Sequence, residues 1–174
     1  KNQIPRLYAY FYYEEKFYLV QEYIQGETLA EKLRKEGTIS ETFVKEILIN
    51  ILPLLDYIHG KRIVHRDIKP DNIIIRFSDF QPVLIDFGAV KETMHSVITV
   101  SGNSTKSIVI GTPGFMPSEQ TAGRPLYSSD LYSLGLTAIY LLTGKKPQEL
   151  RNNSYTGEIL WQDYAANITH NFAA

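Results

Sequence analysis

An α+β fold with a mainly helical body is what this sequence predicts, and three observations carry the prediction. Two runs near the start, LYAYFYY and KFYLVQE, are dense in Tyr, Phe and Val and are separated by Glu14 and Glu15. A long segment from Ser40 to Gly60 repeats apolar residues every three or four positions. A second, from Ser129 to Leu142, is apolar nearly all round. At 174 residues the chain fits one domain, and folding at that size hides roughly 70% of the surface that the unfolded chain exposes.

The elements follow in order. The residues from Leu7 to Glu22 read as a β-hairpin, because β-branched and aromatic residues suit a pleated surface and a charged pair marks the turn. A turn is expected at Gly26, then a short polar helix from Leu29 to Lys35 closed by Gly37. Ser40 is the expected N-cap of the long helix. Its apolar face is Phe43, Val44, Ile47, Leu48, Ile51, Leu52, Leu55 and Ile58, with a kink expected at Pro53 and an end at Gly60. Asn72 to Arg76 and Pro82 to Asp86 are short β-branched runs joined by a polar Ser78-Asp79 turn. Residues 91 to 111 are rich in Ser and Thr without a sustained period and read as a long loop. The apolar helix that follows suits a domain centre, carrying Leu131, Leu134, Leu136, Ile139, Tyr140 and Leu142. From Arg151 the chain is polar, aromatic and weakly patterned, and no internal repeat occurs.

Composition removes several classes of function. With 18 Lys+Arg against 19 Asp+Glu the net charge is -1, which gives no bulk attraction to nucleic acid. Cysteine is absent, so disulfides and thiolate metal sites are excluded; a cytoplasmic setting is the expectation. The apolar run from Leu134 to Leu142 is too short to cross a bilayer, and the opening KNQIPRLYAY lacks a signal-peptide core. The Asn-x-Ser/Thr triplets at Asn103, Asn152 and Asn167 read as coincidence, and His59, His95 and His170 have no partners at metal-ligand spacing.

One stretch concentrates chemistry. VHRDIKPDN, Val64 to Asn72, places a histidine, basic and acidic residues and an asparagine directly after the long helix. Phosphoryl transfer from ATP needs a carboxylate to orient the attacking hydroxyl and oxygen ligands to hold Mg²⁺ on the phosphates. His65-Arg66-Asp67 followed by Asn72 fits that need, and Asp86-Phe87-Gly88 comes 14 residues after Asn72. Either tripeptide alone is a weak signal. Together, in this order and followed by Gly111-Thr112-Pro113-Gly114-Phe115, Pro117-Ser118-Glu119 and Ser129-Asp130-Leu131-Tyr132-Ser133-Leu134-Gly135, they are specific.

From about residue 4 to residue 150 the chain resembles the eukaryotic-like (Hanks-type) Ser/Thr protein kinases, especially the bacterial ones. The resemblance implies a protein-kinase-like fold and transfer of the ATP γ-phosphoryl group to Ser or Thr of protein substrates. It implies that Asp67 is the catalytic base, that Lys69 neutralises charge on the transferring phosphate, and that Asn72 and Asp86 ligate Mg²⁺. Thr112 would bond to Asp67 and Lys69 from the substrate-docking loop. Adenine would lie along the hinge from Glu22 to Ile24, with Gln21 as gatekeeper and Ile74 beneath the ring, and Glu27 would contact the ribose. His65, Phe87 and Leu7 would stack in an internal spine. Asp130 would brace the backbone at His65, a role compatible with capping its helix. Arg66, helped by Lys91, would pair with a phosphate on the loop between Thr93 and Ser107, with Thr105 and Ser107 as the favoured acceptors.

The pattern also departs from the family. No G-x-G-x-x-G and no V-A-I-K-like run occurs in these residues, and no αC Glu is identified. Residues 1-24 are therefore expected to be the remnant of an N-lobe, hairpin and hinge only. Residues 25-174 are expected to be a C-lobe shortened at its end, with Glu119 parted from an Arg partner beyond it. This polypeptide alone is expected to be inactive, and its hairpin edge to self-associate. A pseudokinase or docking scaffold is the alternative, opposed by intact Asp67, Lys69, Asn72 and Asp86. A small-molecule phosphotransferase is a third reading, opposed by the GTPGF and PSE segments.

Overall fold

In the computed structural model the described residues are 2–14, 16–87, 111–165, 168–169 and 172. The expectations for Gly88, Lys91, the phosphoacceptors from Thr93 to Ser107, His95, Asn103, Asn167 and His170 lie outside them. The architecture is α+β: a separate hairpin, a small three-stranded sheet and a helical body.

Two long helices form the centre. Helix α2, Glu41–Gly60, starts at Ser40, whose Oγ accepts the Phe43 N–H at 3.4 Å. Its buried stripe is Val44, Ile47, Ile51, Leu54, Leu55 and Ile58, each worth about 1.5–3 kcal/mol on burial. Leu54 replaces the expected Leu52, which is 45% exposed. At about 100° per residue, positions three and four beyond Ile51 straddle the stripe while the next position swings off it. The helix runs unbroken through Pro53. Helix α4, Tyr127–Thr143, packs on α2, and among its buried residues are Leu134, Leu136, Ala138, Leu141 and Leu142. Two of its buried hydroxyls bond back into their own helix, Ser133 Oγ to the Ser129 carbonyl at 2.9 Å and Thr137 Oγ1 to the Ser133 carbonyl at 2.8 Å.

The smaller elements orient what lies between those helices. Helix α1, Leu29–Glu36, opens with a reciprocal Thr28–Glu31 capping box and buries Leu29 and Leu33. Strand β3, Gly26–Thr28, stands where only a turn was expected. It pairs antiparallel with β4, Ile73–Arg76, which pairs with β5, Pro82–Leu84, giving the order β3-β4-β5. Gly26 serves close approach: a Cβ there would lie 2.4 Å from both Ile74 Cγ2 and the Ile75 carbonyl oxygen. Three residues gave too short a run to read as a strand. Beyond β5 the fold adds a short helix α3, Ser118–Thr121, and a hairpin of β6, Arg151–Asn152, with β7, Ile159–Leu160.

The first hairpin is β1, Leu7–Tyr13, with β2, Lys16–Gln21. Every residue of β1 is exposed, including Tyr10 at 66% and Leu7 at 52%. The expected stacking of Leu7 with His65 and Phe87 is therefore corrected. Its side chain is half exposed and lies outside the buried core of the described residues. The strip before the hairpin is better held: Leu84 N–H donates to the Gln3 carbonyl at 2.9 Å, and Ile4 packs on the core.

The last described residues return to the start of α2. Glu41 accepts the Thr169 hydroxyl at 2.8 Å and the Thr169 N–H, and it also pairs with Lys45. The Lys45 bond, followed by those from Thr169, holds the Glu41 carboxyl well below its ordinary 4.5, at about 2. A depressed carboxylate supports this contact fully above its unfolded pKa and loses it as pH falls through the folded value. The protection of the Thr169 amide, its exchange compared with an unstructured amide at the same pH, should therefore fall between pH 4.5 and about 2, and Glu41→Gln should lower it already at neutral pH.

Candidate active site

The sequence between α2 and β4 makes a short irregular loop whose end is a 3-10 turn, Pro70–Asn72. Arg66 adopts φ 72, the left-handed region that non-glycine residues rarely occupy. Asp130, in the first turn of α4 and 1% exposed, holds it there. Its carboxylate accepts the His65 N–H at 2.8 Å, the Arg66 N–H at 2.9 Å and His59 Nε2 at 2.8 Å. The capping half of the expectation for Asp130 is corrected, because Leu126 is the N-cap and its N–H donates to Ser129 Oγ at 3.0 Å. The short hydroxyl can reach back over the turn, which leaves the Asp130 carboxylate for the loop.

The strained loop brings the expected catalytic side chains together. Thr112 Oγ1 donates to Asp67 Oδ1 at 2.7 Å and accepts from Lys69 Nζ at 2.7 Å. Lys69 Nζ lies 3.2 Å from Asp67 Oδ2. Asn72 Nδ2 donates to Asp67 Oδ2 at 2.9 Å and to the Asp67 carbonyl at 2.7 Å. The amide nitrogen of Asn72 is thereby committed, and its Oδ1 remains as a hard oxygen ligand for a cation.

Asp86 follows β5 with φ 63, and the Ile85 N–H donates to the Asn72 carbonyl at 2.9 Å, so the two expected metal ligands share one backbone tie. No cluster of three or more His, Cys, Asp or Glu poised for a metal occurs among the described residues. Mg²⁺ needs none, since it is usually bound through one or two carboxylates plus substrate phosphates.

His65 is fully buried, with its ring 4.6 Å from that of Phe87. Nε2 lies 3.1 Å from the Ile85 carbonyl and Nδ1 accepts the Asp67 N–H at 3.3 Å. A carbonyl can only accept, which places the proton on Nε2. Burial pushes the His65 pKa down, outweighing the attraction of Asp130. It is a neutral, packed ring that supports the Asp67 backbone.

The residues expected around a nucleotide are placed less tightly. Glu22 closes the mouth of the hairpin, its N–H donating to the Arg6 carbonyl at 2.8 Å and its Oε2 accepting the Arg6 N–H at 3.1 Å. Ile24 is buried, and Ile74 on β4 stands opposite Thr28 and Val83. Glu27 on β3 forms an ion pair with Lys35 at 2.5 Å. Sequence reasoning missed His59, which sits between Asp130 and the Tyr127 ring at 4.7 Å. Metal-ligand spacing was the wrong test for it, and its place at the end of an apolar helix next to the loop was the available signal. Glu119, expected to wait for a distant Arg, accepts the Ser129 hydroxyl at 2.7 Å.

Removing the carboxylate with Asp130→Ala strands two loop N–H groups and should destabilise the fold by about 3 kcal/mol, in line with stripping a buried charged acceptor of its partners. Urea unfolding of this chain measures it.

Comparison with known proteins identifies the family. The protein kinase domain family matches residues 1–172. The chain is 65% identical over 173 residues to serine/threonine-protein kinase PknA of Nostoc sp. strain PCC 7120, covering 99% of this chain and 31% of that protein. It is 58% identical over 171 residues to serine/threonine-protein kinase C of Synechocystis sp. strain PCC 6803, covering 98% and 32%. The chain thus spans about a third of the length of these curated relatives. Among solved structures, the PknI kinase domain of Mycobacterium tuberculosis superposes with a TM-score of 0.70 over 95% of this chain and 59% of its own, at 21% identity, a likeness of fold. Motif order, loop geometry and relatives converge: the chain belongs to the protein kinase family, with bacterial Hanks-type Ser/Thr kinases as its relatives.

Proposed function

We propose that this chain is part of an ATP-dependent protein kinase that phosphorylates Ser or Thr of protein substrates. The observation that carries the reading is the Asp67–Thr112–Lys69–Asn72 hydrogen-bond cluster. Mg-ATP supplies the phosphoryl group and the charge neutralisation of its phosphates. Asp67 orients the substrate hydroxyl and takes its proton, while the Lys69 ammonium faces the charge that develops on the transferring oxygens. Asn72 Oδ1 and the Asp86 carboxylate are the oxygens that fit Mg²⁺, and Thr112 ties the substrate loop to the base. Glu22, Ile24, Glu27 and Ile74 border the nucleotide in this reading. Glu27 reaches a ribose only by leaving Lys35.

Residues 1-24 are assigned to the N-lobe and hinge and residues 25-174 to the C-lobe. No helix among the described residues is long and apolar enough to cross a membrane.

In the full-length protein Asp67→Asn should lower kcat by about 10²–10⁴-fold, the range of general-base catalysis, with binding of ATP retained. Radiolabelled phosphate transfer to a Ser/Thr peptide measures the first and nucleotide titration the second; activity unchanged by the substitution would sink the assignment. This chain alone should transfer phosphate far more slowly than the full-length protein, because it carries no Gly-rich loop or strand Lys over the phosphates.

The open hairpin should also pair with a second copy of this chain. Its exposed Tyr8, Tyr10, Phe11 and Tyr18 suit strand addition, as do its outer edges, which no other strand among the described residues pairs. Light scattering should show mass rising with concentration, and a clean monomer with a protected hairpin would count against pairing.

A further inference from the structure

The turn that carries Thr112 is gripped from a side that the catalytic cluster does not use. Thr112 to Phe115 close a four-residue turn, with the Phe115 N–H donating to the Thr112 carbonyl at 3.1 Å. Pro113 stands second and Gly114 third with φ 93, the combination that defines a type II turn. In type II the central peptide is flipped relative to type I, so the Pro113 carbonyl points to the opposite face. Gln148 Nε2 donates to that carbonyl at 2.8 Å.

The contact is close as well as directional. A Cβ on Gly114 would lie 1.9 Å from Gln148 Nε2 and 2.3 Å from Cδ, so the amide lies against the bare α-carbon. Gln148 is itself on a firm base. It belongs to the 3-10 turn Pro147–Glu149 just beyond α4, where Pro147 is buried and the Lys146 N–H donates to Glu149 Oε2 at 3.0 Å. The rest of the turn is held elsewhere: Thr112 by Asp67 and Lys69, and the Phe115 carbonyl by Ser133 Oγ at 2.8 Å.

Pro113 second and Gly114 third already favour type II, but glycine reaches positive and negative φ about equally, so they leave the central peptide able to flip. A donor placed on the Pro113 carbonyl opposes the flip, because a flipped peptide would turn that carbonyl away. We propose that Gln148 is a positioning residue that holds this turn in its type II form. It thereby keeps Thr112 on Asp67 and shapes the surface that receives the substrate residue beside the phosphoacceptor. The inference rests on the Ser/Thr kinase reading above and adds to it a residue outside every motif that identified the family.

The test uses the full-length protein and a degenerate library of Ser/Thr peptides. Gln148→Met keeps the length and loses the donor; Gln148 is exposed, so folding is not at stake. The variant should raise KM for peptide about two- to tenfold, the span of one neutral hydrogen bond, while KM for ATP stays constant. It should also flatten the preference at the peptide position next to the phosphoacceptor and leave other positions alone. In this chain, the same substitution should speed hydrogen exchange at the Phe115 amide. An active protein whose peptide KM, positional preference and Phe115 exchange are all unmoved by Gln148→Met would overturn the inference alone. An unmodified full-length protein that transfers no phosphate to any peptide would overturn the kinase reading and this inference with it.

Discussion

The geometry of the site depends on one buried carboxylate. Asp130 takes up the backbone N–H groups of two successive residues, one of them in a conformation that costs of order 1–3 kcal/mol. Without an acceptor there, those groups would be buried and unpaired, and the loop would have a strong reason to relax. With it, strain in Arg66 becomes affordable and the chain reverses sharply enough to present Asp67 beside Asn72. The Asp itself is fixed because α4 is anchored by its apolar face on α2. Hydrophobic packing thus sets the position of a charge, and the charge sets the position of the chemistry.

That chain of dependence explains why burial and polarity alternate so closely here. His65 is a titratable ring used as a neutral packing piece, with its tautomer fixed by the Ile85 carbonyl. Ser129, Ser133 and Thr137 are hydroxyls on the buried side of the helix that carries Asp130, each with a hydrogen bond to satisfy it. A helix made only of Leu and Ile would have packed as well, but it could not have tied Glu119, the Phe115 carbonyl and the loop of His65 and Arg66 to one rod.

The sequence was most informative where a periodic pattern or a fixed motif spacing carried the signal. Both long helices, the first hairpin and the loop cluster of Asp67, Lys69, Asn72 and Thr112 were legible in that way. Short or relational features were not. Strand β3 exists because Gly26 lets two backbones approach, a fact about Ile74 and Ile75 rather than about its own residue types. His59 and Gln148 gain their roles from partners 71 and 35 positions away, a distance at which local pattern says nothing. Leu7 differs for the complementary reason: the resemblance placed it in an internal spine, and here it stands 52% exposed on the hairpin.

The strip at residues 2 to 4 has a mechanical meaning. The Gln3 carbonyl is bonded to Leu84, and Asp86 lies two residues further along the same stretch of chain. The foot of the hairpin is thus tied to β5, two residues short of Asp86, and to α2, where Gln3 Nε2 donates to the Asn50 carbonyl at 3.3 Å. The hairpin is therefore moored at its foot both to the strand that leads to Asp86 and to the helical body, while β1 stays exposed along its whole length.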